Sequence, residues 1–366
     1  MNSYWLKPLK KRAMQSNLGR RSVRPLELLK SKDPKLYGSL GVLMGLENSM
    51  RLGLKLRGFE WETRRQGDLE FGFWKIKYKD SLRDQPKRFF LIPGFGDSFF
   101  SWIFFYGLIE KKLKKDFDEV YVVNFPGFLG FQSFQKPFGT IDALSGPFFD
   151  LLDELEPHTI MGHSLGGFLA GLYVAECLEN RRPRLEIKKK KFKIPQKMIV
   201  VNPSGVFENP DDGEDFQKRF RSYLDLPVEN YQKVLFKKKP LGFSVLKPML
   251  GSFFSLTETK EFIESFELRH LLHERLKTFK GEALVVWTDQ DQLLPSRWLT
   301  CWIRELGPFY FEKNRHWGVE LEGAGHMPQL EKPRLLAKIV SSFLNPDCAR
   351  PPVINGAVFK GVTHTG

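Results

Sequence analysis

Three cysteines in 366 residues, Cys177, Cys301 and Cys348, are too few and too far apart for a disulfide framework, and no C-x-x-C or zinc spacing joins them. They read as reduced thiols with no catalytic task. No stretch of about 18 uncharged apolar residues occurs, which argues against a membrane-spanning helix; the longest conspicuous run, Phe99 to Ile109, is too short. The first 35 residues lack the compact apolar core and small-residue cleavage site of a secretory signal, so export by that route is not expected. Short-period repeats and RNA- or DNA-binding motifs are also missing. His270 and His273 fall on one predicted helical face, but Leu271 and Leu272 between them do not make a zinc-protease motif. Neither a metal nor an organic cofactor is expected.

Acidic residues are in the minority, 43 Asp and Glu against 57 Lys and Arg, for a formal net charge of +14. The excess is localised. Residues 1–35 carry ten Lys/Arg against Glu27 and Asp33, and Arg181 to Lys197 carries nine against Glu186. Beside Trp5, Leu6, Leu9 and Leu26, the first cluster suits anionic lipid headgroups, at roughly 1 kcal/mol per basic residue near such a surface. The second reads equally well as a solvated loop. The expectation is a cytoplasmic protein in peripheral contact with anionic membrane, with no nucleic-acid partner. Oligomeric state has no sequence signature here.

What the chain does have is Gly162-His163-Ser164-Leu165-Gly166-Gly167 between a strand-like stretch, Thr159 to Met161, and a helix-like one, Phe168 to Leu178. A Gly-x-Ser-x-Gly turn in that setting holds its serine in a strained conformation and projects the hydroxyl from the sheet edge. Two further groups follow at strand ends: Trp287-Thr288-Asp289-Gln290-Asp291, and Gly323-Ala324-Gly325-His326-Met327-Pro328. Ser164 is a weak nucleophile until a base accepts its proton, and an imidazole titrating near pH 6.5 suits that work. His326 is the candidate base; His316 lacks the flanking glycines, and His163 reads as structural. A carboxylate must then fix the imidazole tautomer, and the acid loop offers both Asp289 and Asp291.

On these residues the chain resembles the α/β-hydrolase superfamily, and within it monoacylglycerol-lipase-like and esterase members. They are similar in the Gly-His-Ser-x-Gly-Gly elbow, the Trp-x-x-x-Asp-Gln loop, the Gly-His near Glu331-Lys332-Pro333, and the stretch Asn202-Pro203-Ser204-Gly205. The resemblance implies that the acid lies about four residues before a helix-opening proline, which selects Asp291 before Pro295 and leaves Asp289 as a solvated turn residue. It implies an oxyanion hole from the backbone N–H groups of Leu165 and Phe95, the latter in the strand-to-glycine run Arg88 to Gly96, where Pro93 replaces the family's usual histidine.

The fold implied is a mostly parallel central sheet flanked by helices, with an inserted helical cap. The expected order is a basic N-terminal extension (1–65), a first core part (66–204), the cap (205–280), a second core part (281–346) and a C-terminal tail (347–366). Helix-like stretches in the cap run Phe216 to Leu224, Val228 to Phe236 and Glu258 to Glu274, and Phe207, Phe216, Phe220 and Phe253 are candidate walls of an acyl pocket. The expected activity is that of a serine carboxylic ester hydrolase acting on single-chain lipid-like esters of monoacylglycerol or lysophospholipid type. The same three residues also suit carbon–carbon bond hydrolysis or acyl transfer, and a noncatalytic lipid-binding module is the reading from another class.

Overall fold

The computed structural model describes residues 45, 48–79, 86–125, 139–179, 193–209, 217–218, 220–222, 226–227, 230–238, 240, 257–307, 316–348 and 351–360. Phe216, Phe253 and nearly all of both basic clusters lie outside them.

Among the described residues nine strands form one sheet: β1 (Glu60–Gln66), β2 (Leu69–Lys77), β3 (Arg88–Ile92), β4 (Glu119–Asn124), β5 (Thr159–His163), β6 (Lys197–Val201), β7 (Glu282–Thr288), β8 (His316–Leu321) and β9 (Ala357–Phe359). Their spatial order is β1-β2-β4-β3-β5-β6-β7-β8-β9. From β4 to β8 every pairing is parallel; β1, β2 and β9 run antiparallel to their neighbours. The central strands read as unbroken apolar runs such as RFFLI and KMIVV, as strands covered on both faces must.

Alternation along β3 shows the layering. Phe90 and Ile92 face one core with α2 (Ile141–Leu155), α3 (Leu165–Leu178) and α6 (Trp298–Glu305). Phe89 and Leu91 face the other with α1 (Ile103–Asp116) and α8 (Pro333–Leu344). Between these lie the short helices α4 (Tyr231–Leu235), α5 (Thr257–Glu264) and α7 (Pro328–Glu331).

Several elements differ from the sequence expectation. Glu60–Gln66, assigned to the N-terminal extension, is the first arm of a hairpin, in register from Glu60 opposite Lys75 to Gln66 opposite Leu69. Within the expected tail, Ala357–Phe359 returns to the sheet, where Phe359 pairs with Val319. The helix expected from Glu258 to Glu274 ends at Glu264. Ser265 breaks it: its hydroxyl donates to the Phe262 carbonyl at 2.6 Å and accepts the Ile141 N–H at 2.8 Å. A separate 3-10 turn, Leu268–His270, then starts from a capping box between Glu267 and His270, so His270 and His273 share no helical face. Among the described residues no helix is long and apolar enough to cross a membrane, and no disulfide joins the cysteines.

Candidate active site

Ser164 sits between β5 and α3 with φ 52° and ψ −115°. A left-handed φ on a residue with a side chain costs about 1–3 kcal/mol and persists only where the surroundings enforce it. Here they do. The Ser164 N–H donates to the Val201 carbonyl at 2.9 Å, and its carbonyl accepts the first helical bond from Phe168 at 2.9 Å. The flanking glycines answer a space requirement. A Cβ on Gly162 would stand 2.2 Å from the Gly166 carbonyl oxygen, and one on Gly166 would stand 2.4 Å from that of Ile92 and 2.5 Å from that of Pro93. Helix α3 can therefore close onto the ends of β3 and β5 only without side chains at positions 162 and 166.

The same closeness joins the elbow to the loop after β3. A Cβ on Gly94 would stand 2.8 Å from His163 Nδ1 and 3.3 Å from Ser164 Cβ. Phe95, next in that loop, turns its ring toward side chains from between β6 and β7, stacking on Phe262 at 5.2 Å and meeting Phe220 edge-on at 5.9 Å. Leu165 opens α3, where helix-terminal N–H groups have no partner within the helix and favour negative charge.

Thirty-five residues apart in sequence, Asp291 and His326 meet. The Nδ1–H of His326 donates to Asp291 Oδ2 at 2.7 Å, while Asp291 Oδ1 accepts the N–H groups of Leu293 and Leu294 at 2.8 Å each. Both side chains are almost completely buried. Asp289 does something else: its Oδ1 accepts the Gly323 N–H at 2.7 Å, tying the loop after β7 to the loop after β8. It is a loop brace rather than a merely solvated turn residue.

Four further side chains hold the His326 loop. The His326 carbonyl accepts from His163 Nε2 at 2.7 Å and from Asn202 Nδ2 at 3.0 Å. Asn202 also reaches Thr288 Oγ1, which donates to the Gly325 carbonyl at 2.8 Å. Because a carbonyl can only accept, His163 carries its proton on Nε2, and its Nδ1 takes a weaker bond from Gln329 Nε2 at 3.3 Å. Burial first, and then the neighbouring His326, hold His163 well below the ordinary imidazole range, so the ring is neutral. Glu331 Oε2 accepts the Gly325 N–H at 2.6 Å and its Oε1 the Lys238 N–H at 2.8 Å, linking the His326 loop to the segment after α4. Burial raises its pKa despite those bonds. Asn202, Thr288 and Glu331 stand in the quoted motifs without a role of their own, and Gln329 carries no motif signal.

Asp97 completes the surroundings. Its carboxylate accepts the Ser98 N–H at 2.7 Å and the Ser101 hydroxyl at 2.6 Å, fixing the 3-10 turn Phe99–Trp102 that leads into α1. Burial pushes it up to about 6, against those bonds and a favourable interaction with His326.

Three other histidines are occupied elsewhere. His316 begins β8 with Nε2 against the Gly281 carbonyl at 3.1 Å. His270 pairs with Asp142 at 3.0 Å, and His273 accepts the Phe207 N–H at 3.2 Å. Among the described residues no cluster of His, Cys, Asp and Glu is arranged to hold a metal ion. Of the expected pocket residues, Phe207 lies edge-on to Trp298 at 4.6 Å and lines a cavity of about 370 Å³ with Phe168, Phe266 and Leu271. Phe168 is one helical turn beyond Ser164; none of Ser164, Asp291 and His326 lines that cavity.

A profile of the alpha/beta hydrolase family matches residues 89–339. No curated protein sequence matches the chain. Solved structures do. A bacterial membrane phospholipase A is 21% identical with a TM-score of 0.54, over 84% of this chain and 94% of its own. A putative lipase from Acinetobacter baumannii is 17% identical at 0.55 (78% and 91%), and an esterase from Exiguobacterium antarcticum 13% identical at 0.53 (78% and 99%). At such identities the likeness carries the fold alone, and it is the fold described above: a mostly parallel sheet with helices on both faces. The profile covers well over half of the sequence, from β3 into α8, and by that match the chain belongs to the alpha/beta hydrolase family.

Proposed function

We propose that the protein is a serine carboxylic ester hydrolase acting on single-chain lipid-like esters of monoacylglycerol or lysophospholipid type. The observation that carries this reading is the 2.7 Å bond from His326 Nδ1 to a fully engaged Asp291 carboxylate, on a loop held against the strained serine turn. With Nδ1 committed as a donor, Nε2 is the ring atom left to take a proton. Ser164 Oγ attacks the ester carbonyl and its proton passes to His326 Nε2; Asp291 stabilises the imidazolium. The oxyanion is held by the N–H groups of Leu165 and Phe95, donors that need no rearrangement as charge develops. The imidazolium then protonates the leaving alcohol, and water activated by the same ring releases the acid and regenerates the serine.

The lipid-like substrate rests on the apolar, phenylalanine-rich ground beside the elbow, Phe95 with Phe220 and Phe262 and the cavity wall of Phe168 and Phe207. The names of similar structures, a phospholipase, a lipase and an esterase, point the same way. The test is hydrolysis of p-nitrophenyl esters from acetyl to long-chain acyl, then of a monoacylglycerol and a lysophospholipid. Turnover rising toward medium or long chains supports the reading. Activity confined to acetyl esters overturns the lipid class, and none with any ester overturns ester hydrolysis in favour of carbon–carbon cleavage, acyl transfer or noncatalytic lipid binding.

A further inference from the structure

Seven large hydrophobic side chains are conspicuously exposed among the described residues, and four of them fall on two neighbouring helical segments. Leu52 and Leu56, 58% and 79% exposed, lie one turn apart on the helical stretch 48–56; Phe104 and Leu108, 65% and 47% exposed, lie one turn apart on α1. The segments pack together. Leu54 is buried in the same core as Phe105 and Ile109, Phe59 meets Tyr106 edge-on at 5.0 Å, and Arg57 approaches Glu110 at 3.9 Å. Each segment has thus spent one face on the core and still shows apolar side chains to water, at a cost scaling with the exposed area.

The charge around them has one dominant sign. From residue 48 to 57 and along α1 the sequence has seven Lys/Arg against Glu110 and Asp116. On α1 the outward stripe runs Phe104, Leu108, Lys111, Lys115, apolar beside the loop after β3 and basic farther on. A pocket of about 460 Å³ on the same helical stretch is lined by Arg51, Lys55, Phe59, Glu60, Trp61 and Trp74. In the sequence, residues 1–35, with their ten basic side chains against two acidic ones, lie twelve residues ahead of this stretch. Apolar side chains projecting among cations suit the boundary between anionic headgroups and acyl chains, where each Lys or Arg adds to the attraction.

We propose that this face, residues 48–57 with the outer side of α1, docks the protein onto an anionic lipid bilayer, Leu52, Leu56, Phe104 and Leu108 entering the interface and Arg51, Lys55, Lys111 and Lys115 meeting the headgroups. Docking is independent of the chemistry at Ser164, so it is measured on the full-length Ser164→Ala protein. The readout is co-sedimentation with vesicles of phosphatidylcholine alone and of phosphatidylcholine with an equal share of phosphatidylglycerol.

The expected result is partition onto the phosphatidylglycerol vesicles that weakens with salt and falls by about tenfold or more in Leu56→Glu and in Phe104→Glu. Val353→Glu and Val358→Glu, at exposed apolar positions elsewhere on the surface, leave it unchanged. The pair Arg51→Glu and Lys55→Glu gives a second variant of the same face that removes no apolar contact. No partition, or partition equal in the face variants and the controls, overturns the proposal and leaves any lipid binding to residues 1–35 alone. A lipid-free dimer that Phe104→Glu dissociates also overturns it, by making a second copy of the chain the occupant.

Discussion

Asp291 accepts the Nδ1–H of His326 at 2.7 Å, whereas Asp289, two residues earlier, accepts the backbone N–H of Gly323 at 2.7 Å. Both carboxylates brace the same pair of loops, but only one touches the imidazole. Asp291→Asn should therefore lower kcat by about 10⁴-fold, by favouring the wrong tautomer. Asp289→Asn should cost far less activity and act mainly on thermal stability. Esterase kinetics and melting curves of the two variants check this, and equal losses of kcat or the reverse order would sink the assignment.

His163 lies beside Ser164 yet belongs to the loop-holding network. Phenylalanine there keeps much of the ring volume but removes both polar nitrogens, leaving the buried Gln329 amide without its bond and the His326 carbonyl with Asn202 alone. Stability should fall by about 1–3 kcal/mol. Since burial keeps His163 neutral, the acid limb of the pH–rate profile should keep its midpoint. A displaced midpoint in His163→Phe would mean that this ring titrates in the working range.

Asp97, pushed up to about 6, holds its proton more tightly in the folded chain than in the unfolded one. The contribution of this group to stability is therefore fully present at about pH 4 and below, and is lost as the pH rises through about 6. Asn cannot ionise, so the melting temperature of Asp97→Asn minus that of the wild type should increase between those limits. A difference that stays flat or shrinks contradicts the raised pKa.

The elbow glycines are set by space. Gly166→Ala places a Cβ 2.4 Å from the Ile92 carbonyl oxygen, a backbone atom of a central strand, and should destabilise by about 1–3 kcal/mol. Gly53, exposed in the stretch 48–56 with nothing near its would-be Cβ, should gain about 0.5–1 kcal/mol on substitution by Ala. Denaturant unfolding of both variants tests the contrast, and a neutral Gly166→Ala would show that α3 does not close tightly onto β3.

Elements with strong local patterns could be read directly from the chain. The runs in β3 to β8 are apolar because both faces are covered, and the serine turn and histidine loop are compact motifs whose residues are consecutive. β1, with the sequence EWETRRQ and mostly exposed, and the three-residue β9 lack that signal, since edge strands owe their state to a partner rather than to their own hydrophobicity. The same holds in the site. Asn202 and His163 meet the His326 carbonyl from 124 and 163 positions away, so no spacing rule pairs them. Asp289 and Asp291 could be ranked by resemblance, yet the bracing role of Asp289 depends on Gly323, which only the fold brings near.

The central claim is that Ser164 is the nucleophile, and the most direct measurement is intact-protein and peptide mass spectrometry after reaction with a fluorophosphonate, beside ester turnover of the same samples. The account predicts a single adduct mapping to Ser164, disappearance of turnover in step with labelling, and neither adduct nor serine-dependent turnover in Ser164→Ala. Turnover that survives in Ser164→Ala, or an adduct that maps to another residue, would contradict it.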